Sequence, residues 1–433
     1  MQRPWLLPVA IFVVSAAVYV AVLGDRATSP SANNHFVHLA ESYLEGQLHV
    51  VGNKPPGNND WAKYDGRWYV SFPPLPAVLI LPAVAIWGTG TWDPLFWALL
   101  AGLAPALLFS LLRRLREERE SERTLVEDLV LTGLFAFGTV FFFVAVQGTV
   151  WFAAQVVASL LLLLYLRFGL DARRPLLAGA ALALLLATRP TTSLAVTFFM
   201  VEAFRAQRRS TAASDDPRAH PMVRAARFLV GVDWPRVIRT GLVFALPVLL
   251  VGGVLMTLNE LRFDDPFEFG HSHLQIGWRR RIDRWGLFNY HYLSKNLGIW
   301  AASLPWLTST APYLRISRHG LALWFTTPNL LWALYPRRAD ARMVALYLPV
   351  VLIGLLDLCY QNSGWVQFGY RFSLDYMPFL IVALALGKRR FGPVFYGLAV
   401  FAVVVNLFGA LTFDRAWKYY DNDRSQTRVF QPD

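Results

Sequence analysis

Apolar runs of close to membrane-spanning length recur along the chain, separated by short polar tips. The first covers Trp5 to Leu23; others cover Leu129 to Val146, Thr149 to Leu166, Gly241 to Leu258, Met343 to Cys359 and Val394 to Leu411. Each approaches the roughly 20 apolar residues that carry a helix across a bilayer core. The pattern breaks most sharply after the first run, where residues 24–75 are polar and aromatic. A loop of about fifty residues is usually there for a function. A second long polar stretch, residues 259–319, interrupts the later half.

Composition agrees with the pattern. The 433 residues are 55% hydrophobic and 16% charged, with a mean hydropathy of +0.38. The chain therefore reads as an all-α, polytopic helical membrane protein with long outer loops, and a soluble class is excluded. Cys359 is the lone cysteine and lies in a span, so no disulfide framework exists. The net charge of +12 comes almost wholly from arginine. In a chain of this class such an excess reports topology before nucleic-acid binding, and no nucleic-acid partner is expected.

Basic clusters stand at Arg113-Arg114-Leu115-Arg116, Arg173-Arg174, Arg205 to Arg239, Arg337-Arg338 and Lys388-Arg389-Arg390, with Arg3 ahead of the first span. If all are cytoplasmic, the outward tips are Gln147-Gly148, the turn at Thr188-Arg189-Pro190, residues 259–319, Gln361 to Arg371, and the tail from Asp414. Phe72–Trp87 is short and holds Pro73, Pro74, Pro76 and Pro82, which makes it re-entrant or interfacial rather than a crossing. About eleven crossings result, within a range of about ten to thirteen. The first span is too long, and its cleavage site too poor, for a signal peptide. No internal repeat is evident. The expected organisation is an amino-terminal membrane module, residues 1–204, a basic cytoplasmic connection, residues 205–237, and a carboxy-terminal membrane module, residues 238–433.

The chemistry is expected on the outer face. Within residues 24–75 the carboxylates are Asp25, Glu41, Glu45, Asp60 and Asp65, and Trp61, Tyr64, Trp68, Tyr69 and Phe72 surround two of them. Singly, each carboxylate reads as an ordinary solvated charge. The aromatics suit either sugar faces or the headgroup interface. His271 and His273 near Glu268 are weak evidence for a metal, and Trp278 to Arg281 suits anionic headgroups. Gln155 and Asp357 are set in spans, where polar groups draw attention.

Gly66-Arg67-Trp68-Tyr69-Val70-Ser71-Phe72-Pro73-Pro74, preceded by a helix-like His35 to Leu44, resembles the GT-C integral-membrane glycosyltransferases, such as the protein mannosyltransferases and the aminoarabinose transferases. Gly66, Tyr69, Pro73 and Pro74 match that family's loop, and Gly364 to Phe372 with Pro378 is similar to a later motif. The resemblance implies a GT-C-like fold and sugar transfer from a polyprenyl-phosphate donor to a lipid, glycan or protein acceptor on the outer face of a cell inner membrane, with the amino terminus cytoplasmic. The chain departs from the family where the catalytic acid is expected, because Asn33-Asn34 stands there and asparagine takes no proton at neutral pH. Phe72 also replaces a lysine found before the prolines in some members, which moves phosphate binding to arginines.

Asp60 is then the leading candidate for the catalytic base, with Asp25 second. Asn34, His35, Tyr64, Asp65, Arg67, Tyr69, Arg189, Gln367 and Arg371 are the candidate substrate-binding residues. Arg371 heads the phosphate candidates, since a guanidinium grips phosphate bidentately. A divalent metal is compatible with this chemistry, although the sequence requires none. The competing readings are a transporter or flippase of lipid-linked sugars, a polysaccharide polymerase or ligase, and an inactive scaffold. The first would need ionisable or broken-helix sites near mid-membrane, whereas the spans are nearly charge-free at their centres.

Overall fold

The computed structural model describes residues 5–53, 60–208 and 231–421. The basic connection therefore lies largely outside the described residues. The protein is a helical multi-pass membrane protein. Among the described residues six helices are long and apolar enough to cross a bilayer: Leu6–Thr28, Asp93–Glu117, Val150–Ala172, Trp234–Phe263, Ala341–Leu358 and Pro393–Thr412.

One end of the helix bundle collects the basic clusters. Arg114 donates to the Arg167 carbonyl at 2.8 Å, Arg116 pairs with Asp128 at 2.7 Å and Arg173 with Glu118 at 2.6 Å. Arg338 pairs with Glu120 at 3.1 Å, and Lys388 with Glu122 at 2.7 Å. Arg342, which is 1% exposed, reaches Asp171 at 2.7 Å and Glu202 at 3.1 Å, and Arg205 pairs with the same two carboxylates. Burying these charges is tolerable because each has partners. The arginines that mark topology in the sequence thus share one end.

From that basic end α1 (Leu6–Leu23) climbs to the opposite end, where Arg415 donates to the Val22 carbonyl. Helices α2 (His35–Leu44) and α3 (Leu75–Trp87) stay at this second end. Leu75 is bonded to the Ala187 carbonyl, and Ser31 bonds both oxygens of Asp93 at 2.7 and 2.5 Å just after α3. Residues 72–92 therefore begin and end on the same side, as the proline content implies. Exposed Val78, Leu79, Ile86 and Trp87 give α3 a lipid-facing surface.

The return is α4 (Asp93–Ala101) with α5 (Leu103–Glu117). Then α6 (Leu125–Phe137) and α7 (Phe141–Ala145) rise together, α8 (Val150–Gly169) descends, α9 (Pro175–Leu186) rises and α10 (Val196–Ala206) descends. The apolar run Leu129–Val146 is one run but two helices, because the α-helix ends at Gly138. α11 (Trp234–Phe263) rises next. At the second end follow α12 (Arg279–Trp285), α13 (Leu293–Ala302) and a small sheet of β3 (Trp306–Leu307), β4 (Leu314–Ser317) and β5 (Tyr420–Asp421). Within it β4 pairs antiparallel with β3 and parallel with β5.

Residues 321–337 cross back without a long helix. They use α14 (Leu323–Thr326) and a 3-10 turn, Pro328–Leu334, between a bond to Phe368 at one end and to Gly387 at the other. Irregular backbone at membrane depth survives only when protein groups satisfy it. Here Asn406 donates to the Thr326 carbonyl at 2.8 Å, while Thr327 and Asn329 bond the Gly138 and Phe395 carbonyls at 2.9 and 2.8 Å. Finally α15 (Ala341–Leu358) rises, α16 (Met377–Leu386) descends and α17 (Pro393–Thr412) rises. Beside the six helices of full spanning length, Leu75–Gly90, Pro175–Leu186 and Met377–Leu386 are shorter apolar helices among the described residues.

α9 and α11 touch at Gly179, where an added Cβ would collide with the carbonyl oxygen of Phe244. The two backbones approach this closely because glycine has no side chain, a device common between membrane helices. Gly179→Ala is expected to cost roughly 1–3 kcal/mol through overpacking. Gly133→Ala, where nothing lies within 4 Å of the added carbon, should leave stability unchanged or slightly raised. Thermal unfolding of the two purified variants in detergent measures the difference.

Candidate active site

The outward tips named from the sequence meet around one cavity of about 810 Å³ at the end opposite the basic clusters. Gln147, the Thr188-Arg189-Pro190 turn, parts of residues 267–288, Gln361 to Val366, Arg371 and Asp414 all contribute to its wall. Asn33, Asp60, Phe72 and Pro73 enter it from the first loop.

The first loop reaches the cavity through a hairpin. β1 (Trp61–Tyr64) and β2 (Arg67–Val70) pair in register across a two-residue turn, with φ of 44° at Asp65 and 73° at Gly66. Two consecutive positive φ angles define a type I′ turn, for which Asp-Gly is a preferred sequence. On the outer side Tyr69, Ala62, Phe263 and Leu274 form a small apolar cluster, and Tyr64 donates to Asp264 at 2.9 Å. The stretch that resembles the glycosyltransferase loop is therefore mainly architectural here. Gly66 makes the turn, Tyr69 anchors the hairpin, Pro73 joins the cavity wall and Pro74 precedes α3.

Asp60 sits at the foot of β1, with φ of 66°, and its carboxylate faces the cavity. Trp151, two residues into α8, donates its indole N–H to Asp60 Oδ2 at 2.7 Å. Behind this pair His35 stacks on Trp61 with ring centroids 4.0 Å apart and lies edge-on to Phe72. Burial raises the Asp60 carboxyl above its ordinary range; the Trp151 N–H and the positive charge of Arg371 pull it part of the way back.

Arg371 enters from the other side of the cavity. It begins a 3-10 turn, Arg371–Asp375, above α16. Its amide donates to Gln367 Oε1 at 2.9 Å, and Gln367 Nε2 bonds the Ser363 and His319 carbonyls at 2.7 Å each. Gln155, set in α8, donates to the Arg371 carbonyl at 3.0 Å. The guanidinium bonds the Gly364 carbonyl through Nε at 3.2 Å and lies 5.1 Å from the centroids of both Phe152 and Phe372. No carboxylate forms an ion pair with it among the described residues. Burial, and then the charge of Arg189, lowers its affinity for its proton to about 9, so the cation persists at neutral pH in a place that favours an anion.

Arg189 is different. Its fork is filled by Asp375, with bonds of 2.6 and 2.5 Å, and Thr191 also donates to that carboxylate at 3.1 Å. Its charge is spent on the protein, although it lines the cavity. Asp357, at the cavity end of α15, is 2% exposed, and its Oδ2 has no hydrogen-bond partner among the described residues.

Of the residues named as catalytic or substrate-binding candidates, Asp60, Arg189 and Arg371 are gathered in the cavity wall, and the other candidates lie outside it. Asp25 is in a 3-10 turn, Gly24–Thr28, at the top of α1; Asn34 caps α2, while its neighbour Asn33 lines the cavity. Tyr64, Asp65, Arg67 and Tyr69 belong to the outer hairpin, His35 underlies Trp61, and Gln367 holds the Arg371 backbone. Trp151 is a wall residue that the sequence did not mark, since an aromatic at the start of an apolar helix carries no signal of its own; Asp357 was marked there only as a polar group set in a span, with no role. Glu268 bonds Gly270 N and Ser272, His273 stacks on Phe263, and no cluster of three or more His, Cys, Asp or Glu exists among the described residues.

The sequence matches no protein-family model and no curated protein. It is similar in structure to ArnT from Cupriavidus metallidurans in the apo state, with 13% identity and a TM-score of 0.49, covering 90% of this chain and 61% of that one. For ArnT from Cupriavidus metallidurans bound to undecaprenyl phosphate the values are 14%, 0.49, 92% and 64%. For the Archaeoglobus fulgidus oligosaccharyltransferase tethered to an acceptor peptide containing the NVT sequon they are 12%, 0.45, 97% and 56%. The chain thus spans about three fifths of the length of these structures.

The Asp60 environment predicts a pH signature in stability. Its folded pKa is raised, so between the ordinary value of 3.8 and the raised one the folded state holds more proton than the unfolded state. Stability contributed by this group is full below that window and lost as pH rises through it. Thermal unfolding of the parent chain and of Asp60→Asn should therefore diverge, with the parent losing stability relative to the variant as pH rises from about 4 to neutrality. Parallel curves would show that the carboxyl is not held in a desolvated place.

Proposed function

We propose that this chain is a membrane glycosyltransferase of the GT-C kind that moves a sugar from a polyprenyl-phosphate donor to an acceptor hydroxyl. The observation that carries the reading is the pairing of unlike groups across one cavity. Asp60 is a desolvated carboxylate free to take a proton, and Arg371 is a buried cation without a carboxylate of its own. The resemblance of Gly66 to Pro74 to the loop of that family supports the same reading.

The chemistry follows from those two groups. Asp60 accepts the proton of the acceptor O–H, and the oxygen forms its bond to the anomeric carbon. The bond from that carbon to the phosphate oxygen breaks, and the electron pair leaves with the polyprenyl phosphate. Charge then grows on phosphate oxygens, where the Arg371 guanidinium stabilises it in a site that already excludes most water. Trp151 holds the Asp60 carboxylate toward the cavity, and Gln367 with Gln155 fixes the Arg371 backbone. Arg189, with its fork filled by Asp375, positions Phe372 rather than binding phosphate. The cavity end would then face the cell exterior, with the basic end and the amino terminus in the cytoplasm.

Asp60→Asn is expected to lower sugar transfer by about 10²–10⁴ while leaving undecaprenyl-phosphate binding intact. Arg371→Ala should weaken that binding about ten- to a hundredfold, the equivalent of roughly 1.5–3 kcal/mol for a charge-assisted bond, and Arg371→Lys should restore it only in part. Unchanged binding by Arg371→Ala, measured with purified protein in nanodiscs, would remove the phosphate from this site.

Orientation has its own test. In a Cys359→Ser background, a cysteine at exposed Lys63 on the hairpin should react with an impermeant thiol reagent in intact cells, and one at exposed Arg119 should not. The reverse pattern would invert the protein in its membrane.

A further inference from the structure

The mouth of the cavity is chemically unlike its floor. Arg371, Asp60 and Asp357 lie inside, whereas Phe267, Phe269, Trp278, Phe288, Trp365 and Trp417 stand around the opening. Five of these rings are strongly exposed, from 38% for Trp365 to 69% for Phe267. Side chains that anchor a protein at the headgroup level belong on its lipid-facing perimeter. These also line the cavity, and they come from three separate stretches of chain, residues 267–288, 365 and 417, so part of the surface they offer is turned to a ligand in it.

The polar groups among them identify it. Glu268 and Asp283 line the same mouth, and Arg279, the cation there, is bonded to Asp283 at 2.6 Å. Glu268 Oε1 accepts from Gly270 N at 2.5 Å and Ser272 N at 3.4 Å, and Oε2, which takes the Ser272 hydroxyl, keeps a further lone pair. The Trp278 indole N–H is buried and has no partner among the described residues. A ring of exposed aromatic faces interleaved with hydrogen-bond acceptors, its lining arginine already paired with Asp283, suits a ligand with flat apolar C–H faces and many hydroxyl donors.

We infer that the acceptor is a neutral carbohydrate, whose sugar rings lie on the aromatic faces at the mouth and present one hydroxyl to Asp60. This rests on the transferase reading above and names its second substrate. A phosphorylated lipid headgroup would bring its charge against Glu268 and Asp283. A peptide in extended form would look for an unpaired strand edge, and β1 is already paired with β2 on one side and bridged to Leu274 through Ala62 on the other.

The test uses the full chain in nanodiscs and its intrinsic tryptophan fluorescence. Neutral gluco-, manno-, galacto- and arabino-oligosaccharides are titrated against a serine/threonine-containing peptide and a phosphorylated glucosamine disaccharide. At least one neutral oligosaccharide should bind saturably, and Trp278→Ala and Phe288→Ala should each weaken it about tenfold, the scale of one aromatic contact. Both variants should bind undecaprenyl phosphate as the parent does, which separates a folded protein with an altered mouth from a collapsed one. Binding of none of the four neutral sugars, or of the peptide or phosphorylated disaccharide in a manner that Trp278→Ala abolishes, overturns the inference. Failure of undecaprenyl phosphate to bind the parent chain counts instead against the transferase reading, and sugar binding would stand without it.

Discussion

A guanidinium held out of water with no carboxylate in direct contact is the constraint around which the cavity end of this protein is organised. Removing such a group from solvent costs several kcal/mol unless other interactions offset it. The offset is supplied piecemeal. The Gly364 carbonyl takes Nε, the rings of Phe152 and Phe372 flank the plane, and Gln367 and Gln155 lock the backbone on either side. Gly364, with φ of 98°, leaves room for Gln367 where any Cβ would collide with its side chain. None of these groups forms an ion pair with the guanidinium, which is the deficit the donor phosphate proposed above would fill.

Much of this was legible in the chain, for physical reasons that differ by region. The arginine clusters located the two ends of the bundle because charge position is fixed by solvation and not by packing detail. The same logic found the tips that converge on the cavity, and Asp60 and Arg371 among them. The hairpin was marked by Asp65-Gly66, whose backbone preference is local. By contrast Tyr64, Asp65, Arg67 and Tyr69 were read as substrate contacts because their chemistry fits sugars; in the structure Tyr64 and Tyr69 tie the hairpin to residues 263–274, Asp65 makes its turn and Arg67 opens β2.

Long-range placement was what the sequence withheld. Trp151 becomes a partner of Asp60 only when residues 91 positions apart are brought together, and nothing in the local pattern announces it. Residues 321–337 also escape a periodicity argument. They traverse the bundle as α14 and a 3-10 turn in which Asn406 takes the Thr326 carbonyl, while the Thr327 and Asn329 side chains donate to the Gly138 and Phe395 carbonyls of neighbouring segments. The lone asparagine in α17 is therefore a splint for irregular chain, an assignment that hydropathy alone would pass over.

The long helix α11 is attached to the remainder of the bundle along α9 and α10, and little of its apolar surface is covered by protein. Lipid tails must supply the missing lateral pressure. Its upper end is also the post to which the hairpin is tied, through Phe263, Asp264 and the Arg262 bond to the Val70 carbonyl at 3.2 Å. Delipidation would consequently slacken the hairpin first, well before the ion-paired base of the molecule. A preparation stripped by harsh detergent would keep its helical content and still lose the alignment of Asp60, so retained bilayer, rather than retained secondary structure, is the measure of an intact sample.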